Sequence, residues 1–511
     1  MKPAAIAGIA IAMLAMTWPA FLNGQAFFFP DTTTYVRGAD AAVHRLTGTS
    51  TAWTLPYNDD SPSGQASVSS IRDKSVLAGR SIYYGTLLYL ADRVGGISLA
   101  VGLQALLMVL ALLATLRALD LDCWPYALPL SLVIAAFTAA PLFTAFLMPD
   151  IFAGLTILAC GVLMTCRMRG QRAQECFWFA LLALALTFHS THVLLALTML
   201  AVGLALFAWR RRFVELRGLA AIGLALVAAL MCGAAFTFGV TRLVGEPPLT
   251  PPFLMARLVD DGPGYRYLVD TCPRNGFVIC GFIKRLPLPS DDFLWQRDPQ
   301  HGVFACSTPA VRRALSAEQY RFALAVMGHD PWGQSKAFAR NALAQSALLG
   351  ATEFDYSEQS KTSFATKLPA AYFEVMRHTR AYAGTMPISS LSAVSYISTV
   401  AGLGWLLFML IAGREGSTER SARVMRLAVL IVFGVAVNAI VCGAISGPHD
   451  RYQARVAWLI PAAALLVHFE SHRAWWTSAL HFLHSLTGVR LSAPNRAPTR
   501  QREQGDSQRQ Q

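Results

Sequence analysis

Apolar residues run along the chain in blocks of roughly 20, the length a helix needs to cross a hydrocarbon core. These blocks predict ten membrane-spanning helices, at about 4–22, 97–117, 125–147, 151–166, 175–188, 193–209, 218–240, 390–412, 427–446 and 453–468. Two segments are too polar for lipid, 23–96 and 241–389, and are expected outside. In the first, Tyr35, Val36, Ala39, Ala42, Val43 and Leu46 recur at helical spacing behind Pro30-Asp31, a helix start. That pattern predicts an amphipathic helix lying along the membrane surface. A Ser/Thr/Gly/Pro-rich connection from Thr47 to Ser70 follows, then Arg72, Lys74 and Arg80, then an aromatic helix through Tyr83, Tyr84 and Tyr89. The second segment has a Pro-rich entry (Pro247, Pro248, Pro251, Pro252), a turn-rich middle from Gly262 to Pro309, and helical patterns from about 310 to 380. The expected architecture is therefore an all-α polytopic membrane protein with a small mixed extracytoplasmic domain. It comprises a seven-span module (1–240, including the outer loop 23–96), the outer domain (241–389), a three-span module (390–468) and a basic cytoplasmic tail (469–511). The tail from Ser492 onward, rich in Arg and Gln, is expected to be disordered.

Composition removes the soluble alternative. Of 511 residues 54% are apolar and 14% charged, against about 25% charged in an ordinary soluble protein. The net charge of +13 is not spread as a nucleic-acid binder's would be. Arginines gather at block ends: Arg167, Arg169 and Arg172; Arg210, Arg211, Arg212 and Arg217; Arg414, Arg420, Arg423 and Arg426; and Arg490, Arg496, Arg500, Arg502 and Arg509 in the tail. Under the positive-inside rule these ends and both termini are cytoplasmic. The outer turns near 148–150 and 189–192 carry no Lys or Arg, which agrees; the inner turn at 118–124, with Asp120 and Asp122, is oriented only by its neighbours. The first span could instead be a signal peptide, since Gly24-Gln25-Ala26 has a small-x-small form.

Three of nine cysteines, Cys272, Cys280 and Cys306, fall in the large outer segment. One disulfide is expected there, most simply Cys272 to Cys280 with Cys306 left free, although spacing alone does not decide the pairing. The chain has no phosphate-cradling GxxxxGK[ST], no dinucleotide glycine fingerprint, no HExxH and no GxSxG. Ionisable groups instead collect at one membrane face: Asp31, Asp150, His189 and His192, then His449, Asp450, Arg451 and Arg455. Asp31 and Asp150 could each simply cap a helix, and the histidines could be interface residues. Arg455, between Tyr452 and Trp458 inside an apolar block, needs a partner or a water-filled cavity.

Phe-Phe-Pro-Asp31-Thr-Thr-Thr-Tyr35-Val-Arg-Gly-Ala39 after a first span, Gly79-Arg80-Ser-Ile-Tyr83-Tyr84-Gly85, Met148-Pro149-Asp150, and Arg451-Tyr452 followed by Pro461 together resemble the GT-C superfamily of membrane glycosyltransferases. The resemblance implies a bacterial inner-membrane enzyme that moves a sugar from a polyprenyl-phosphate donor to an envelope glycan or lipid acceptor on the outer face, with inversion. Asp31 matches the family's catalytic carboxylate, a general base for the acceptor hydroxyl. Arg80, Arg451, Tyr452 and Arg455 are candidates for the donor phosphate, with Arg72 and Lys74 as outer substitutes. Asp150, Tyr35, His189 and His192 are candidates for positioning the acceptor. Metal-dependent members carry an Asp-x-Asp in the first outer loop that is missing here. Asp59-Asp60 and Asp291-Asp292 read as solvated turns, so a divalent metal is possible but no cofactor is assigned. Trp295, Tyr265, Tyr267 and Trp332 could stack on sugar faces or form the core of the outer domain. Two other readings remain open: a transporter or flippase of lipid-linked sugars, and an envelope glycan polymerase or ligase.

Overall fold

The computed structural model describes residues 3–54, 74–121, 123–168, 170–211, 213–412 and 418–472. Arg72, Asp59-Asp60 and the tail beyond 472 lie outside them. By internal packing the chain divides into Met1–Glu470 and Ser471–Gln511.

Helix α1 (Pro3–Asn23) leads to α2 (Pro30–Thr47) and α3 (Ile82–Gly95) in the first polar segment. Then come α4 (Ser98–Ala118), α5 (Cys123–Phe137), α6 (Ala140–Thr144), α7 (Ile151–Thr165), α8 (Arg172–Phe188), α9 (Ser190–Trp209) and α10 (Leu216–Val244). The second polar segment holds α11 (Phe253–Asp260), α12 (Pro263–Thr271), α13 (Ser290–Trp295), α14 (Pro309–His329), α15 (Pro331–Ser346), α16 (Glu358–Lys367), α17 (Ala370–Met376) and α18 (Arg380–Ala383). The chain continues through α19 (Ile388–Ile411), α20 (Glu419–Ile445), α21 (Asp450–Ala457) and α22 (Leu459–Ser471). Among the described residues seven stretches are long and apolar enough to cross a membrane: α1, α4, α9, α10, α19, α20 and the combined Asp450–Ser471. This is a helical, membrane-embedded, multi-pass protein. The apolar helices Tyr126–Phe137 and Ile151–Thr165 are shorter than a full span. Among the described residues β-pairing is limited to the isolated bridges Phe27↔Phe146 and Leu77↔Leu249. Residues 241–389, expected to be mixed, are accordingly helical with loops.

The block expected to span 125–147 is broken. Helix α5 ends at Phe137, α6 is a single buried turn, and the chain from 145 to 150 is irregular. Backbone groups freed inside an apolar core must find partners, because each one left unsatisfied costs several kcal/mol. Gln104 of α4 supplies two of them, its Nε2 donating to the carbonyls of Thr144 (2.8 Å) and Phe146 (3.0 Å) while its Oε1 accepts from the Tyr84 hydroxyl at 2.9 Å. Phe27 pairs its N–H with Ala145 O and its carbonyl with Leu147 N, and Thr32 Oγ1 donates to Leu147 O at 3.0 Å. Replacing Gln104 by Leu strands two carbonyls at once; we expect a loss of about 2–5 kcal/mol, read as a lower midpoint of thermal unfolding in detergent.

Helix α2 forms where its periodicity predicts, but the first half of its apolar face turns into the protein rather than onto a membrane surface, while Leu46 stays exposed. Tyr35, Val36 and Ala39 are buried inside the protein, and α3 covers them. The two helices touch backbone to backbone at Gly85, where an added Cβ would stand 2.2 Å from Tyr35 O. The polar segments are stitched together: Ala381 N donates to Asn23 Oδ1 and Phe28 N to the Tyr356 hydroxyl, both at 2.9 Å. Asp92 accepts from Trp53 Nε1 at 2.9 Å and from the Tyr372 hydroxyl.

The helices of 241–389 enclose an apolar core that includes Met255, Leu258, Ile279, Phe293, Leu315 and Phe322. Cys272 and Cys280 are disulfide-bonded and Cys306 is a free thiol, as the simplest pairing predicted. Helix α15 packs along α20, with an added Cβ on Gly443 only 2.6 Å from Asn341 O.

Candidate functional site

Asp31 sits in the first turn of α2, behind Pro30 at the helix start. It does not cap the helix. The cap residue is Phe29, whose N–H donates to Thr32 Oγ1 in the first turn at 2.9 Å, and the Asp31 carboxylate is left for Arg80, whose Nη2 donates to Oδ2 at 2.5 Å. Both side chains are 23% exposed, so the pair is reachable from outside. Arg80 is steadied by Nη1 to Gly79 O at 2.9 Å. Burial works against its charge, but Asp31 and Tyr35 outweigh it and hold the pKa above the usual value. The next residue, Ser81, caps α3 and donates to Thr187 O at 2.6 Å, which ties this corner to the end of α8.

Asp150, directly before α7, is also not a cap: its side chain makes no capping hydrogen bond. It faces two arginines of α21, with Arg455 Nη1 at 3.2 Å and Arg451 Nε at 3.5 Å. These arginines are four residues apart and so share one helix face. Asp150 and Arg455 are each 3% exposed, an arrangement tolerable only because the charges oppose one another. The guanidiniums also lie against aromatic faces: Arg451 is 4.3 Å from the Phe29 ring and 5.1 Å from Tyr452, and Arg455 is 5.3 Å from Tyr452. Arg455 Nη2 further reaches Thr191 Oγ1 at 3.5 Å and Cys442 Sγ at 3.4 Å.

Tyr35 is buried and feels the charges of both ion pairs. Its ring meets Tyr84 edge-on at 5.2 Å. Burial pushes its phenol pKa up, Asp31 and Asp150 push the same way, and Arg80 and Arg451 oppose them. At neutral pH the hydroxyl therefore keeps its proton. His189 caps α9 by accepting from Thr191 N at 3.2 Å. Burial, followed by His192 and the positive charges of Arg455, Arg80 and Arg451, holds its pKa well below the usual histidine range, so it is neutral. His192 Nδ1 lies 2.7 Å from Ala185 O; as that contact requires a donor, Nε2 is the acceptor of the neutral ring.

Asp31, Tyr35, Arg80, Asp150, His189, His192, Arg451, Tyr452 and Arg455 thus form one neighbourhood. Several of its buried polar atoms have no hydrogen-bond partner among the described residues: Tyr35 Oη, His192 Nε2, Arg451 Nε and Nη1, and Arg455 Nε. Such orphans are rare in native interiors, and here they concentrate on two arginines that share the one carboxylate of Asp150. Lys74 is not part of it; its carbonyl accepts from Arg313 Nη2 at 2.9 Å. Asp291 and Asp292 are exposed in the first turn of α13. Tyr265 and Tyr267 pack against the outer core, Trp295 meets Phe253 edge-on, and Trp332 is exposed. Among the described residues no three His, Cys, Asp or Glu side chains converge as a metal-ligand set.

Two contacts of the site were not legible in the sequence: Phe29 stands in the Phe-Phe-Pro-Asp31 motif and Thr191 at a span end, but nothing there says that they meet Arg451 and Arg455. On α16, burial of Lys367 and then Arg297 hold its pKa below the usual lysine value, against the pull of Asp31. Arg37 donates to the Lys367 carbonyl. Cavities of about 220 and 380 Å³ occur at the other end of α7, around Arg167 and Glu215, and share no residue with this site. No protein-family model, curated protein or solved structure matches the chain.

Proposed function

We propose that the protein is an integral membrane glycosyltransferase of the GT-C superfamily. In this reading it spans a bacterial inner membrane ten times, with both termini cytoplasmic, and works at the outer face. It transfers a sugar from a polyprenyl-phosphate donor to an envelope glycan or lipid acceptor. Asp31 takes the proton of the acceptor hydroxyl as its oxygen bonds to the anomeric carbon, the bond from that carbon to the phosphate oxygen breaks, and the polyprenyl phosphate leaves with the electron pair. Arg80, Arg451 and Arg455 receive the developing phosphate charge, Tyr452 backs the two arginines of α21, and Asp150 keeps those arginines in place. Tyr35, His189 and His192 offer neutral hydrogen-bonding groups to the sugars.

The observation that carries this reading is the set of orphaned guanidinium atoms on Arg451 and Arg455, beside a reachable carboxylate held by a third arginine. The Cys272–Cys280 disulfide in 241–389 supports placing that segment in an oxidising compartment. The test is to incubate purified protein with polyprenyl-phosphate sugars labelled in the lipid and the sugar. Free polyprenyl phosphate that appears only when an envelope lipid fraction is added supports transfer. Movement of intact donor between leaflets of a vesicle, with no bond cleavage, would make the protein a carrier.

A further inference from the structure

Helix α15 is built inside out. Its inward stripe is polar: Gln334 Nε2 and Asn341 Nδ2 donate to the Asp261 carboxylate at 3.2 and 2.8 Å. Gln345 exchanges two hydrogen bonds with the backbone of His449, at 2.8 and 2.9 Å. Its outward stripe is Trp332, Lys336, Arg340 and Leu343, spaced to share one face, with Trp332 70% and Leu343 73% exposed. The preceding helix α14 adds Tyr320, Leu324 and Met327, again on one face, with Leu324 76% exposed. In water such a surface is a liability. Against lipid it has the composition of an interface anchor, in which aromatics sit at headgroup depth while Lys and Arg stems lie along apolar surface and their charges reach the phosphates.

Position agrees with composition. Helix α15 packs along α20, a membrane-crossing helix, and touches it at Gly443, close to its Ile445 end. We infer that α15, with the exposed face of α14 that leads into it, is seated in the lipid headgroup layer at the Ile445 end of α20. Leu324, Trp332 and Leu343 enter the acyl boundary, and Lys336 and Arg340 meet headgroup phosphates. A second copy of the chain suits this face less well, because a two-fold contact would bring the same cationic stripe against itself. The inference rests on α20 crossing the membrane and is independent of the reaction proposed above.

The test uses the full chain in phospholipid nanodiscs. Leu343→Cys and, separately, Leu324→Cys are labelled with an environment-sensitive fluorophore, and the signal of identically treated wild type, which has an exposed Cys176, is subtracted. We expect lipids with a nitroxide just below the headgroup to quench both sites at least about twofold more than aqueous iodide does, and the reverse at Glu358→Cys on α16. Iodide quenching that equals or exceeds lipid quenching at both leucine sites overturns the inference. So does emission shielded from both quenchers, which would indicate a protein partner or a second copy.

Discussion

Asp31→Asn is expected to lower sugar transfer by about 10²- to 10⁴-fold, the usual worth of a positioned proton acceptor. The amide is nearly isosteric and still accepts a hydrogen bond from Arg80, so the fold is kept. The ion pair it replaces is partly buried, at 23% exposure on each side, but the amide keeps an acceptor opposite Arg80, so neither group is left without a partner. The variant should therefore unfold within a few degrees of wild type in detergent and bind donor with similar affinity while turnover collapses. A rate within about threefold of wild type would remove Asp31 from the chemistry, and equal loss of binding and turnover would make it a docking residue.

Asp150→Ala should fail for the opposite reason. Its carboxylate is the counter-charge to Arg451 and Arg455. Removing one partner of a buried pair costs about 3–5 kcal/mol because the remaining charge has nowhere to go. Here two guanidiniums would be left, and we expect the variant to express poorly and to unfold well below wild type. Asp150→Asn, which keeps size and one acceptor, should fall between. Pairing Asp150→Ala with Arg455→Met should recover part of the loss, since it withdraws the most buried orphaned charge. An Asp150→Ala protein as stable as wild type would show that Arg451 and Arg455 find water or lipid phosphate instead, and that Asp150 has no structural role.

The sequence made the site's members conspicuous, because an arginine or aspartate among apolar residues is costly enough to be noticed. Their partnerships were not legible. Asp31 and Arg80 are 49 residues apart and Asp150 and Arg455 are 305 apart, and no local pattern relates such positions. Helix capping, a sound local reading of both aspartates, gave way to tertiary ion pairs with Arg80, Arg451 and Arg455.

The spans show the same division. Hydropathy located α4, α9, α10 and α19 within a few residues, and α20 at its Ile445 end but not at its start, eight residues earlier than expected. It missed the break between α5 and α7, where burial makes the residues apolar whether or not they are helical. The amide that satisfies the freed carbonyls is Gln104, on a different helix. Periodicity also revealed the apolar face of α2 without saying what covers it. On α15 the usual reading is reversed, because its polar stripe faces Asp261.

The central claim is that the cluster joining Asp31, Arg80, Asp150, Arg451 and Arg455 holds the phosphate of a lipid-linked sugar. It is tested most directly by cross-linking the purified protein with a photoreactive polyprenyl-phosphate sugar and mapping the labelled peptides by mass spectrometry. The account predicts label on peptides covering 29–37, 79–85 and 450–456, suppressed by excess polyprenyl phosphate and unaffected by polyprenol. Label confined to the Arg167–Glu215 end, or label that uncharged polyprenol displaces equally well, would contradict it.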